Sequence, residues 1–354
     1  MTIQVTWKRV VLTLVGIVAL ALAVGWSGAV NVAASSGHWP ITNWFLHWVM
    51  RNSVGTRSAL DSPKAAADPQ GLVSAAGHFA ASCAACHGAP GMRPRAVFQA
   101  ATPAAPDLAR TAPEWSDREL YWIIDHGVKF SGMPAWPARD RPDEIRRMVA
   151  FVRRLPTMSP ADYVRLTGGI AGIAGAPRFE ACAGCHGADG RGRGQPDIPV
   201  LGGQTPGYLA AALRAYRDGH RGSGVMANAA ALLSDADVTA LATRFAAMPG
   251  LGGAPARADA DAARIVARGL PDRELPACAS CHAPGKPYPV LSGQKPAYIA
   301  ARLRQMRGDD KQVDARQSQA TMPVIARRIP EAMIDRLAGY LGSSRPPREA
   351  DPAK

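Results

Sequence analysis

The 354-residue sequence predicts an all-α protein in which three tandem helical units of similar size follow an N-terminal transmembrane helix. Three observations carry this expectation. The pattern Cys-x-x-Cys-His occurs three times, ending at His87, His186 and His282, so that 99 and 96 residues separate successive copies. The stretches between copies read as amphipathic helices joined by Gly- and Pro-rich connections, with no convincing alternating strand. A run without charged residues, Val10 to Gly37, follows Lys8 and Arg9 and exceeds the roughly 20 apolar residues that cross a bilayer.

The elements follow in order. Residues 1–35 are expected to be a cytoplasmic stub and anchor. A cleaved signal peptide is the rival reading, but the uncharged run outlasts a typical h-region. The basic residues ahead of it put the N-terminus on the cytoplasmic side and the three units outside. In the next segment, 36–68, Ile41, Trp44, Phe45, Trp48 and Val49 fall on one helical face. Two readings fit that tryptophan-rich face: it lies in the membrane interface, or it packs on the first unit. In the first unit, 69–160, Ser116 and Glu119 form a capping box ahead of "LYWIIDHG", with Gly127 beyond the helix end. Pro142 opens a helix whose residues Ile145, Met148, Val149 and Val152 share a face. In the second unit, 170–254, Thr205 and Pro206 start one helix and Ser234 caps another. The third unit, 255–342, repeats the second: "PVLGGQTPGYLAAALRAYRDG" from Pro199 aligns with "PVLSGQKPAYIAARLRQMRGD" from Pro289. Gln204 aligns with Gln294 and Tyr208 with Tyr298 in this repeat. Linkers are expected near 159–177 and 250–257, and a disordered tail at 343–354.

The chain has six cysteines, and Cys83, Cys86, Cys182, Cys185, Cys278 and Cys281 of the three motifs account for all of them. No disulfide framework is left over. A redox dithiol belongs in a βαβ setting, which this sequence lacks, and three pairs divide badly into four-ligand zinc sites. Haem attachment uses every residue of the pattern. The two thiols add across the haem vinyl groups as thioethers, and the adjacent histidine supplies an axial nitrogen to iron. Three covalent haems c are therefore expected.

Each iron then needs a sixth ligand. Met133 follows His87 by 46 residues, while Met226 and Met322 each follow their histidine by 40. A neutral thioether favours Fe(II) and raises the potential relative to a second histidine. Met133 and Met322 precede proline, which predicts extended or loop backbone around them. Met148, Met158, Met248, Met306 and Met333 read as core filler. His126 and His220 compete as sixth ligands, but both sit at expected helix ends beside glycine, where a solvated histidine is usual.

A motif near the start of each unit, a later methionine segment and a closing helix together resemble class I cytochromes c, over about residues 72–342. The first unit, with "PDL" at 106–108 and "WSDRELYWIIDHGVKFSGMPAW" at 115–136, resembles monohaem membrane-anchored cytochromes of bacterial respiratory chains. The second and third resemble the halves of cytochrome c4-type dihaem proteins. The third motif departs from the others by reading "CHAPG" where they read "CHG", so a different turn is expected after His282.

The net charge is +13, with +3 over 69–160, +1 over 170–254 and +5 over 255–342. A basic surface steers docking to acidic partners or anionic lipid. Nucleic acid is a poor partner, because the compartment is external and no recognition motif accompanies the charge. A haem enzyme needs acid–base residues beside an open iron position, and none stands out; a sensor needs an output domain. The expectation is an electron carrier, not an enzyme, in the bacterial inner membrane with its haem units in the periplasm. The resemblance implies a donor to a terminal haem-copper oxidase, or else a cytochrome subunit of a periplasmic alcohol, aldehyde or sugar dehydrogenase.

Overall fold

A computed structural model describes residues 6–138, 140–169, 178–256, 258–283, 285–308 and 321–344. Residues 1–5, the glycine-rich stretch 170–177 and the tail 345–354 lie outside the described residues. Secondary structure among the described residues is helical; pairing of the β type is confined to two isolated bridges, Ala89 with Met92 and Leu270 with Leu275.

Among the described residues one continuous helix, Trp7–Trp26, is long and apolar enough to cross a membrane, with mean hydropathy 2.2. Its 20 residues span about 30 Å at 1.5 Å per residue. Tryptophan stands at both ends, the position that amphipathic rings take at membrane interfaces. The second helix, Pro40–Asp61, divides between the two readings offered for its apolar face. Trp44 and Trp48 stack in its first half, and both are exposed. Its second half packs on Asp117–His126 of the first unit: Val54 and Ser58 are buried, Ser62 Oγ donates to Arg118 O at 2.8 Å, and Arg118 Nη2 donates to Ala59 O and Ser62 O.

Three hydrophobic cores follow along the chain. In each, the segment entering the Cys-x-x-Cys-His motif meets the unit's last long helix. Phe79 packs on Phe151 of Pro142–Val152 at 5.1 Å between ring centroids, and Phe179 on Phe245 of Asp235–Ala246 at 5.3 Å. In the third unit, Ile265 of Ala260–Arg268 joins Ile334 and Leu337 of Glu331–Gly342. The local signals act as expected. Ser116 with Glu119 closes a full capping box, as does Ser234 with Asp237, and Thr205 Oγ1 accepts from Tyr208 N.

Two expectations change. Residues 160–166 are not linker but helix Pro160–Leu166, capped by Ser159, with Tyr163 buried in the first core. Proline at N1 and one large aromatic outweigh the glycines that follow. Nor is 250–257 a free connection, since Leu251 is buried and its N–H donates to Gly202 O at 2.8 Å.

The units pack directly on one another. The two glutamines aligned by the repeat exchange places across the second and third units. Gln294 Oε1 accepts from Val200 N at 2.9 Å and its Nε2 donates to Val200 O at 3.0 Å; Gln204 does the same with Val290 N and O at 2.9 and 3.3 Å. Each side-chain amide thus mimics a short strand pairing, and both glutamines are buried. Lys295 Nζ adds hydrogen bonds to the carbonyls of Gly192, Gln195 and Ile198. Between the first and second units, Ser74 Oγ donates to Asp197 Oδ2 at 2.6 Å, and Arg193 Nη1 donates to Leu166 O at the end of Pro160–Leu166.

His78 lies in the first core's outer layer, with its ring 4.6 Å from Trp136 and Nδ1 without a partner. Burial pulls its pKa from 6.5 down to about 4. A histidine held neutral in the fold and free to charge when unfolded gives stability that is complete above about pH 6.5 and lost as pH falls towards 4. The expected loss over that window is roughly 3 kcal/mol. Denaturant titrations of wild type and His78→Phe at several pH values check this; a variant with the same pH slope as wild type excludes His78 as its source.

Candidate functional site

Each motif places its cysteines and histidine in the same local order but with two backbone forms. In the first two units the motif ends a helix, Ala84–His87 and Arg178–His186, and the next residue is glycine at positive φ: Gly88 at 72° and Gly187 at 79°. Only glycine takes that conformation without strain. In the third unit Cys278–Ser280 is a single 3₁₀ turn, and Ala283 follows His282. The departure expected from "CHAPG" is present on the described side of that turn; Pro284 lies outside the described residues.

The histidine rings are held by proline carbonyls. His87 Nδ1 is 2.8 Å from Pro106 O, and His282 Nδ1 is 2.9 Å from Pro289 O. The Pro199 carbonyl acts on His186 in the same sense, although Nδ1 there lacks a partner at full hydrogen-bond geometry. An Nδ1–H donated to a carbonyl fixes the tautomer and leaves Nε2 as the basic nitrogen, the one a metal-binding histidine offers to the metal. Burial lowers the pKa of all three rings, that of His186 to about 4, which keeps the neutral form that binds metal. Sequence reasoning missed this carbonyl. Its signal was the repeated Pro-x-Leu, which starts at 106, 199 and 289.

Burial also raises the thiols, Cys83 to about 12 and Cys182 and Cys185 to about 11. Among the described residues no three His, Cys, Asp or Glu side chains converge on one point.

The methionines sit in different settings. Met133 is in a loop folded back on Asp117–His126, where Val128 N donates to Met133 O at 3.2 Å and Trp136 N to Asp125 O at 2.9 Å. Met226 lies in helix Gly224–Ala230 and Met322 in helix Thr321–Arg328. The loop expected around Met322 is thus a helix, because Pro323 falls in its first turn, where its missing N–H has no intrahelical partner to lose. His126 stacks on Trp122 at 4.8 Å and its Nδ1 meets Trp122 O, while His220 is exposed.

The chemistry of the surroundings fits haem. The Arg221 guanidinium is buried between Tyr208 and Tyr216, its Nε lacks a partner, and it makes no ion pair with a carboxylate among the described residues. A buried cation needs an anion. A haem propionate would supply one.

With that geometry in hand, the comparisons decide the family. Residues 72–152 match the family described as "Cytochrome C oxidase, cbb3-type, subunit III", and residues 173–267 match "Cytochrome c". The chain is 34% identical over 177 residues to the "Thiosulfate dehydrogenase electron acceptor" of Thiomonas intermedia (strain K12), covering 47% of this chain and 80% of that protein. This chain belongs to the multihaem class I cytochromes c. The cytochrome is also 29% identical over 191 residues to "Cytochrome c4" of Pseudomonas aeruginosa, covering 50% of this chain and 94% of that one. A second "Thiosulfate dehydrogenase electron acceptor", from Stutzerimonas stutzeri (strain A1501), is 33% identical over 176 residues, or 47% and 80% of the two chains. Cytochrome c domains bind haem c covalently, and this cytochrome is an electron-transfer protein.

Gly77 of the first unit lies against the second unit's motif. A Cβ at Gly77 stands 2.7 Å from Cys185 Sγ of the second unit, well inside contact distance. Alanine in a helix ordinarily stabilises by about 1 kcal/mol over glycine. Here Gly77→Ala is expected to act the other way and lower the haem content of the second site, read by mass spectrometry of peptides bearing Cys182 and Cys185. Full occupancy with raised stability is the opposite result, and shows that the cytochrome tolerates the extra carbon.

Proposed function

We propose that this chain is a membrane-anchored periplasmic trihaem cytochrome c that links a periplasmic dehydrogenase to a membrane acceptor, a terminal haem-copper oxidase. Cys83, Cys86, Cys182, Cys185, Cys278 and Cys281 hold the three haems, His87, His186 and His282 are the proximal ligands, and Met133, Met226 and Met322 are the sixth. When bound, each haem supplies a one-electron Fe(III)/Fe(II) couple.

The observation that carries this reading is the direct packing of the first unit on the second, with Gly77 against Cys185, in a first unit that also carries helix Pro40–Asp61, which follows the membrane-crossing helix. One end of the chain is tied to the bilayer, and the other two units face away from the anchor in sequence. The match of 72–152 to an oxidase subunit family supports the first unit as the exit. The relatives named as electron acceptors of thiosulfate dehydrogenase favour a thiosulfate dehydrogenase as donor, over the alcohol, aldehyde or sugar dehydrogenases that the resemblance alone implies.

Stopped-flow kinetics on Met133→Ala test the direction. Transfer to the membrane acceptor is expected to slow, while reduction of the other two haems by an external donor keeps its rate. Equal slowing of both steps, or of neither, means that the haems act in parallel. Uncleaved anchorage predicts retention of the protein in carbonate-washed membranes, with the N-terminal peptide present in the mature chain. A mature N-terminus beyond about Ala33 excludes the anchor.

A further inference from the structure

Glu144 stands on the first unit's helix Pro142–Val152, and its side chain is 5% exposed. Its carboxylate meets four donors. Ser223 Oγ donates to Oε1 at 2.5 Å and Arg141 Nη1 lies 2.9 Å from the same oxygen. Gly224 N donates to Oε2 at 2.7 Å and Trp136 Nε1 at 3.3 Å. Three of these four belong to the methionine segments of two different units: Trp136 follows Met133 closely, and Ser223 and Gly224 are the N-cap and first residue of the helix that bears Met226.

The second-unit side of the link is rigid. Ser223 is the N-cap of Gly224–Ala230, its Oγ accepting from Met226 N at 3.0 Å. The hydroxyl that holds the Met226 amide is itself held by Glu144. A Cβ at Gly224 falls 2.5 Å from Trp136 Nε1, so the Trp136 indole lies as close to this backbone as glycine allows, and Val225 packs into the first unit's core. The start of the Met226 helix is therefore built partly from first-unit side chains.

We propose that Glu144 is a positioning residue for the second haem: from the first unit it sets the segment that presents Met226 to iron and ties it, through Trp136, to the segment of Met133. The proposal rests on the reading of Met226 as an iron ligand. A buried carboxylate with four donors is a stiff joint, because losing one partner leaves a desolvated polar group. The second site is then complete only when the first unit is docked.

Full-length holoprotein with Glu144→Gln or Ser223→Ala tests the joint. Glutamine keeps the shape of glutamate but sets an NH2 where an oxygen accepts two donors, while Ser223→Ala removes only a hydroxyl and spares the buried pair with Arg141. The readout is displacement of the methionine thioether by added imidazole, followed through the thioether-to-iron charge-transfer band of each haem. Met226→Ala identifies the second haem's signal. If Met226→Ala leaves every band unchanged, the ligand reading itself fails. With that band assigned, each single variant is expected to speed displacement at the second haem by about tenfold, the equivalent of one charge-assisted hydrogen bond. The third haem keeps the wild-type rate. The double variant is expected to be no faster than the faster single, since both changes cut one link. Wild-type rates at the second haem in both single variants overturn the proposal, as does a double effect equal to the product of the singles.

Discussion

Cys182→Ser with Cys185→Ser is expected to yield a chain short of one haem, with the other two retained. The six motif cysteines are all the cysteines there are, so no neighbouring thiol can substitute. Each pair lies in its own unit, with Cys83 and Cys182 packed against separate cores. Loss at one motif leaves the others' attachment geometry in place. The effect on stability is larger than the loss of two sulfurs suggests. The second core is built from few buried large side chains, Leu209, Val238, Leu241 and Phe245 among them. A small domain with so thin a core needs its cofactor as filling. The second unit of the double variant is expected to lose protection in hydrogen exchange, with the first unit least affected. A pyridine haemochrome assay and intact mass give the haem count; three haems in the double variant, or none, refute independent attachment.

The second large effect concerns potential. Met133→Ala, Met226→Ala and Met322→Ala are each expected to lower one haem's midpoint potential and abolish one thioether-to-iron band. The shift is a sizeable fraction of the roughly 0.8 V range that axial ligands set. The sign follows from ligand chemistry. Thioether sulfur is a soft, neutral donor that favours Fe(II); water, hydroxide or imidazole in its place stabilises Fe(III). Potentiometric titration of the three variants assigns one wave to each site. Three unchanged titrations make the methionine assignment wrong and return His126 and His220 to consideration. The three settings of the methionines predict different side effects. Met133 hangs on a loop tied to one helix end, whereas Met226 and Met322 begin helices, so their removal is expected to disturb helix packing less than it disturbs iron.

Much of this was legible in the sequence for a physical reason. Haem attachment needs two thiols and an imidazole on one short turn, so the chemistry is written in contiguous residues. Caps work over three residues, and Ser116, Thr205 and Ser234 all act as read. The N-terminal apolar helix depends on composition over about 20 residues, which a window captures. Where local reading went wrong, a longer-range partner had decided. Proline after Met322 signalled a loop, yet it falls in a helix's first turn, and the expected linker at 160–166 became helix because Tyr163 found the first core.

The sequence by itself therefore determined the number of motifs and the helical class. The tertiary structure alone decided how the units meet. Gln204 and Gln294 were visible as repeat positions, but their exchange across two units depends on the docking of both. Glu144 had no signature at all: it reads as one acid in an amphipathic helix, and its partner Gly224 lies 80 residues on. Covalent chemistry and helix caps are satisfied by near neighbours in the chain. A buried charge is satisfied only by whatever the fold brings to it, and that partner can stand anywhere in the sequence.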